Sequence, residues 1–249
     1  MSKGQAIAAR IISRIYLGLS PALKRHTANI VSFGFEEIIY RRLSERGFRP
    51  DAIIDVGAYE GNWTKLALAV FGEVPSLMVE AQQGKKPILD AVVADHPKTG
   101  IALSALSETS GKELTFYEMS TGSSLRAEVS NAARTTTTVV TRTLDEVARE
   151  HLPDAQRLFL KIDVQGAELD VLRGGAETLA RCELVQLELA MLQYNDGAPL
   201  LPEVVAFMQQ RGFLPIEVSG FSRPREELVQ IDMLFAREGS ALRPTSFGF

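Results

Sequence analysis

From residue 35 onward, apolar runs of strand length alternate with amphipathic stretches of helix length. That rhythm demands a mostly parallel sheet covered by helices on both faces. Residues 36–46 read as a helix ended by Gly47, 52–56 as a buried strand, 62–71 as a helix, 76–80 as a strand, 86–94 as a helix and 101–105 as a strand. Beyond a middle section of different character, Thr143 with Glu146 has the form of a capping box and opens a helix reaching about residue 150. Then come a strand over 158–163, a helix over 166–180 weakened by Gly174-Gly175, a strand over 184–189 and a helix over 203–210 ended by Gly212. Segments 214–218 and 229–236 close the chain as an antiparallel pair. The expected fold class is α/β, a doubly wound, mostly parallel seven-stranded sheet with helices on both faces.

Three regions follow from this pattern. Residues 1–34 carry Lys3, Arg10, Arg14, Lys24 and Arg25, with no acid before Glu36, and Ile7, Ile11 and Ile15 recur at helical spacing. This is expected to be a basic amphipathic extension that packs on the domain, on a second copy in a homo-oligomer, or weakly on an anionic membrane surface. Residues 35–249 form the main domain. Within it, about 107–142 reads as an insertion, with β segments at 114–118 and 136–141 around a polar stretch holding Ser123 and Ser124.

A chain of 249 residues fits one large domain with extensions better than two. The net charge of −4 offers no global attraction to a polyanion, so the expected partner is a small molecule or glycan and no nucleic acid. Cys182 is the only cysteine, which excludes an internal disulfide and a cysteine-cluster zinc site; it is expected in the core. No run approaches the ~20 apolar residues of a spanning helix, and no signal-peptide pattern opens the chain, so a cytoplasmic location is expected.

The stretch Ile53-Ile54-Asp55-Val56-Gly57-Ala58-Tyr59-Glu60-Gly61-Asn62 takes a buried strand through an acid and two glycines into a helix. It marks a ligand site at the carboxyl end of the first strand. Gly57 lets the backbone turn and approach a ligand, and Gly61 keeps the helix start open to an anion. A dinucleotide fingerprint fits badly, because Tyr59 and Asn62 stand where its second and third glycines belong, and a P-loop lacks its Gly-Lys-Ser/Thr. S-adenosylmethionine has no phosphate to accommodate, and Asp55 complements its cationic parts. Glu80, ending the second strand, stands where a carboxylate can accept both ribose hydroxyls.

Together with Asp55-Val56-Gly57-Ala58, the segments Val79-Glu80, Ala105-Leu106-Ser107, Thr143-Leu144-Asp145 and above all Leu160-Lys161-Ile162-Asp163-Val164-Gln165-Gly166-Ala167-Glu168 resemble the FkbM family of methyltransferases, over about residues 45–215. The resemblance implies a class I, Rossmann-like methyltransferase using S-adenosylmethionine on a hydroxyl of a sugar or secondary metabolite. It implies cofactor contacts from Asp55, Gly57, Ala58, Gly61, Asn62 and Glu80, with Ala105, Leu106 and Ser107 on the adenine side. Tyr59 stands where the family commonly has Asn, and Gln165 where it commonly has Glu. The rival readings are a nicotinamide-dependent oxidoreductase and a non-catalytic cofactor-binding scaffold.

A hydroxyl acceptor calls for a base or a metal ion. His96 and His151 precede strands and fall at the wrong end of the sheet, and His26 belongs to the extension. Asp163, Glu188 and Glu168 lie at or near the carboxyl ends of the fourth and fifth strands, facing the crevice. Asp163, Glu188 and Glu168 are the candidate catalytic residues, with Asp163 foremost as base and its roles as cofactor-positioning group or metal ligand left open; Tyr194 and Asn195 suggest a polar acceptor pocket. No adjacent oxygen-ligand pair supports a metal, so none is expected.

Overall fold

The computed structural model describes residues 14–15, 18–20, 23, 35–119, 122–127, 134–223 and 227–243. Nearly all of the basic extension expected over 1–34, including His26, lies outside the described residues.

The main sheet has seven strands in the order β3 (Thr99–Leu103), β2 (Ser76–Glu80), β1 (Ala52–Val56), β7 (Leu158–Ile162), β8 (Cys182–Ala190), β10 (Gln230–Arg237) and β9 (Phe213–Ser222). The first five pair in parallel, and β10 runs antiparallel between β8 and β9. All residues of β1, β2 and β7 are buried, as expected of central strands covered on both faces.

Alternation along the strands divides the core. Ile54, Val56, Leu160, Ile162, Val185 and Leu187 face α4 (Leu144–His151), α5 (Glu168–Arg173), α6 (Ala176–Arg181) and α7 (Leu201–Gln210). On the opposite face Ile53, Phe159, Leu184 and Leu234 meet α1 (residues 35–45) and α2 (Asn62–Phe71), and Met78 meets α3 (Lys86–Asp95). Tyr40, Phe48, Trp63, Phe71 and Phe159 stack edge-on or tilted there, with ring centroids 5.1–6.3 Å apart. Cys182 is buried at the start of β8.

Two expectations need correction. The third strand runs over Thr99–Leu103 rather than 101–105, with the Ser104 N–H making the last bond to the Glu80 carbonyl. The chain then enters a second sheet: β4 (Ala105–Leu106) pairs with β6 (Thr135–Arg142), which also pairs with β5 (Glu113–Glu118). The helix expected over 166–180 is two helices, α5 and α6, broken at Gly174-Gly175. Added Cβ atoms there would lie 2.3 Å from the Ser107 carbonyl oxygen and 2.7 Å from Leu144, so the break lets helices pack where side chains could not fit. Thr143 does cap α4, accepting the Glu146 N–H.

Candidate functional site

A cavity of about 310 Å³ opens at the carboxyl ends of β1, β2 and β7 and reaches across β8 to β10. The insertion covers one side through Phe116, Ser123, Ser124 and Leu125, while Glu36 of α1 and Trp63 of α2 line another.

Strand register explains what the sheet presents on its α1 face. Ile53, Phe159, Leu184 and Ala236 lie side by side as an apolar tier. Two residues further along, Asp55, Lys161, Gln186 and Leu234 form the next tier. Beyond it come Gly57 and Asp163 in contact, then Glu188 paired with Asp232. Side chains alternate faces along a strand, so the parity that fills the aromatic core also carries these polar groups, of which Lys161, Asp163, Gln186 and Asp232 reach the cavity.

Gly57 has φ +79°, and a Cβ on it would lie 1.8 Å from the Asp163 carbonyl oxygen. Only glycine permits this approach of the β1 loop to the end of β7. Tyr59 and Gln165 flank the cavity with φ of 50° and 55°, the left-handed region that non-glycine residues seldom occupy. Tyr59 donates its N–H to Glu80 Oε2 (2.7 Å) and Gln82 donates its own to Oε1 (2.8 Å), so the unusual turn fixes the strand-end carboxylate. Burial raises the Glu80 pKa against the pull of these two donors.

Residues 55–215 match the methyltransferase FkbM domain, nearly two-thirds of the chain. The chain belongs to the FkbM methyltransferase family. Its methyl donor is S-adenosylmethionine. No curated protein matches the sequence. Similar solved structures include a 1,6-didemethyltoxoflavin-N1-methyltransferase from Burkholderia thailandensis, with 13% identity over 95% of this chain and 91% of that one, TM-score 0.48. A magnesium protoporphyrin IX methyltransferase from Synechocystis PCC 6803 has 11% identity over 86% and 79%, TM-score 0.46. A putative tRNA (m1A22) methyltransferase from Streptococcus pneumoniae has 12% identity over 78% and 69%, TM-score 0.45.

Within this methyltransferase the expected site residues separate. Gly57, Ala58, Asn62, Glu80, Ala105, Leu106 and Asp163 line the cavity. Asp55, Gly61, Ser107, Glu168 and Glu188 do not. Asp55 is wholly buried, accepting from Thr64 Oγ1 (2.8 Å) and from Lys161 Nζ (3.2 Å), so the cation it meets is Lys161. Gly61 packs against Met78 and Val92. Ser107 faces Gly174, where the insertion meets the α5–α6 break.

Glu168 sits at the start of α5 with Oε1 accepting the N–H groups of Gly166 (2.9 Å) and Val164 (3.3 Å), which fixes the loop after β7. Burial pushes its pKa up to about 7. Glu188 accepts from Gln165 Nε2 (2.5 Å), whose other contact is Asp163 Oδ1 (2.9 Å). Burial first, then Asp163, Asp232 and Glu168, hold the Glu188 carboxyl well above the usual carboxylate range. Asn195 donates to the Gln165 carbonyl (2.6 Å) and Tyr194 touches the Gln165 side chain, so both support the loop rather than line the cavity. His96 pairs with Glu73, and His151 lies beside Gly100 in β3; neither lines the cavity.

Lys161 carries its charge in a buried place. Burial opposes ionisation, but Asp55 and Asp163 outweigh it, and the pKa stands above the ordinary lysine value. Sequence reasoning missed Glu36, Gln186 and Asp232 on the cavity wall. The parity of β8 and β10 was the available signal: Gln186 and Asp232 interrupt strands whose neighbours are apolar. Among the described residues no cluster of His, Cys, Asp and Glu is arranged to hold a metal ion, and no helix is long and apolar enough to cross a membrane.

The cavity fits the methyl donor's chemistry. It offers a fixed carboxylate at one end, an apolar slot from Ala105, Leu106 and Phe116 beside it, and acidic groups toward the middle for a cationic centre.

Proposed function

We propose that the protein transfers the methyl group to a hydroxyl of a small metabolite or glycan, with Asp163 at the reacting centre. In this reading Glu80 accepts the ribose hydroxyls, Ala105 and Leu106 flank the adenine, and Gly57, Ala58 and Asn62 border the rest of the donor. S-adenosylmethionine supplies, when bound, an electrophilic methyl group on a sulfonium.

The observation that carries the reading is the position of Asp163. It lies mid-cavity, partly exposed, with Lys161 Nζ 3.6 Å from Oδ2 and the Gln165 amide on Oδ1. Those contacts orient the carboxylate toward an acceptor hydroxyl and leave lone pairs for its proton. In that place Asp163 would take the proton that the acceptor hydroxyl loses on methylation.

Turnover against hydroxylated metabolites, sugars, amines and a short RNA, with products assigned by mass spectrometry and NMR, tests the reaction class. O-methylated product is expected; exclusive N-, C- or RNA methylation overturns it. Asp163→Asn should lower the single-turnover rate about 10²–10⁴-fold while cofactor affinity changes little. A near-normal rate ends the catalytic assignment, and lost cofactor binding in a folded protein moves Asp163 to the cofactor shell.

A further inference from the structure

The cavity crosses five neighbouring strands, from Glu80 on β2, past Gly57 and Asp163, to Gln186 on β8 and Asp232 on β10. At about 4.8 Å per strand this is roughly 19 Å. With Glu80 at the ribose and Asp163 at the reacting centre, the stretch over β8 and β10 is left for the body of the acceptor. Its wall is Glu36, Trp63, Gln186 and Asp232.

Glu36 Oε1 accepts from Tyr40 Oη (2.8 Å) and Gln186 Nε2 (2.7 Å). Asp232 differs. It is half-buried, and among the described residues its carboxylate has no hydrogen bond and no ion pair. Gly220 on β9 makes room for it, since a Cβ there would lie 2.2 Å from Oδ2. The nearby cation, Lys161, is held between Asp55 and Asp163.

We infer that the acceptor carries a protonated amine near the hydroxyl that is methylated, and that Asp232, helped by Glu36, binds this ammonium. Aminosugars and aminopolyols are the class that fits. The inference rests on the reading of Asp163 as the reacting centre.

The charged and titratable groups facing Asp232 are Glu36 and Tyr40 on α1, Asp163 and Lys161 on and just after β7, and Glu188 on β8; β9 presents Gly220. Burial, Asp163 and Glu36 push the Asp232 pKa to about 7, against the pull of Lys161. The proton taken up there stands in for a missing cation, and a ligand ammonium would replace it. Phosphate, sulfate or carboxylate on the same part of an acceptor would be repelled.

The test is calorimetry on the full chain saturated with S-adenosylhomocysteine. The probes are glucosamine, galactosamine and kanamycin, against glucose, galactose and glucose 6-phosphate. At pH 8 at least one amine-bearing probe should bind about tenfold or more tighter than the neutral sugars, and the phosphate should not bind. Below Asp232's pKa that affinity should fall toward about tenfold per pH unit, as the carboxylate is neutralised. Asp232→Asn should erase both the amine preference and the slope while S-adenosylhomocysteine still binds. No amine probe favoured over the neutral sugars, or a preference that survives Asp232→Asn, overturns the inference. The two readings fail separately: amine preference with only N-methylated product sinks the hydroxyl reading, whereas O-methylation without amine preference sinks the ammonium site.

Discussion

Lys161 holds two carboxylates at once, and the tier on which it stands decides what its removal does. Among the described residues, the wholly buried Asp55 has only Lys161 and Thr64 as side-chain partners. Lys161→Met leaves that charge uncompensated and should cost about 3–5 kcal/mol of stability by urea denaturation. Adding Asp55→Asn to that variant should recover part of the loss; no recovery would show that packing, not charge, sets the cost. Gly57→Ala meets the Asp163 carbonyl and a positive φ together, and should cost about 3 kcal/mol or more by the same measurement. Glu80→Ala should weaken cofactor affinity by roughly 2–4 kcal/mol in titration calorimetry, since two charge-assisted bonds to the ligand are lost. Unchanged affinity in a folded protein removes the ribose assignment. Gly57 and Glu80 were legible from the strand–loop–helix motif. Asp232 was not, because a lone acid in a late strand carries no local mark of the cavity it faces.

Among elements, the pair α5 and α6 shows how packing overrides a continuous helical pattern. The Gly-Gly step was visible as a weak point, but its purpose, close passage of Ser107 and Leu144, depends on segments over 30 residues away. Gly174→Ala should therefore destabilise the fold by more than the few tenths of a kcal/mol typical of an exposed site, despite alanine's better helix propensity. A stabilised variant in thermal unfolding would contradict the close-contact account. The third strand shows the same limit. Apolar character continues through Leu103-Ser104-Ala105-Leu106, yet hydrogen bonding assigns its two ends to different sheets. Periodicity locates strands; it does not say which sheet receives them.

Across the whole molecule, buried carboxyls near the crevice couple stability to pH. Burial raises the pKa of Glu168 from the ordinary carboxylate range to about 7 in the folded protein, so at pH values below that ordinary range it is protonated in both states. As pH rises toward 7 the unfolded chain ionises first, and stability falls until the folded group ionises too; Asp232 and Glu188 act in the same direction. Urea denaturation should show a decline as pH rises from 5 toward 7, and Glu168→Gln should make it shallower. An unchanged slope in that variant would place the burden on the other two groups. The architecture and the family are legible in the amino-acid order, because they rest on local periodicity and on residues close together in the chain. Only the packed fold shows that Asp55 serves Lys161, that Glu168 and Glu188 stand behind the cavity wall, and that α1 and β10 bring Glu36 and Asp232 onto it. Such contacts join positions up to about two hundred residues apart, and the burial that shifts their proton affinities exists only once the sheet and its helices close together.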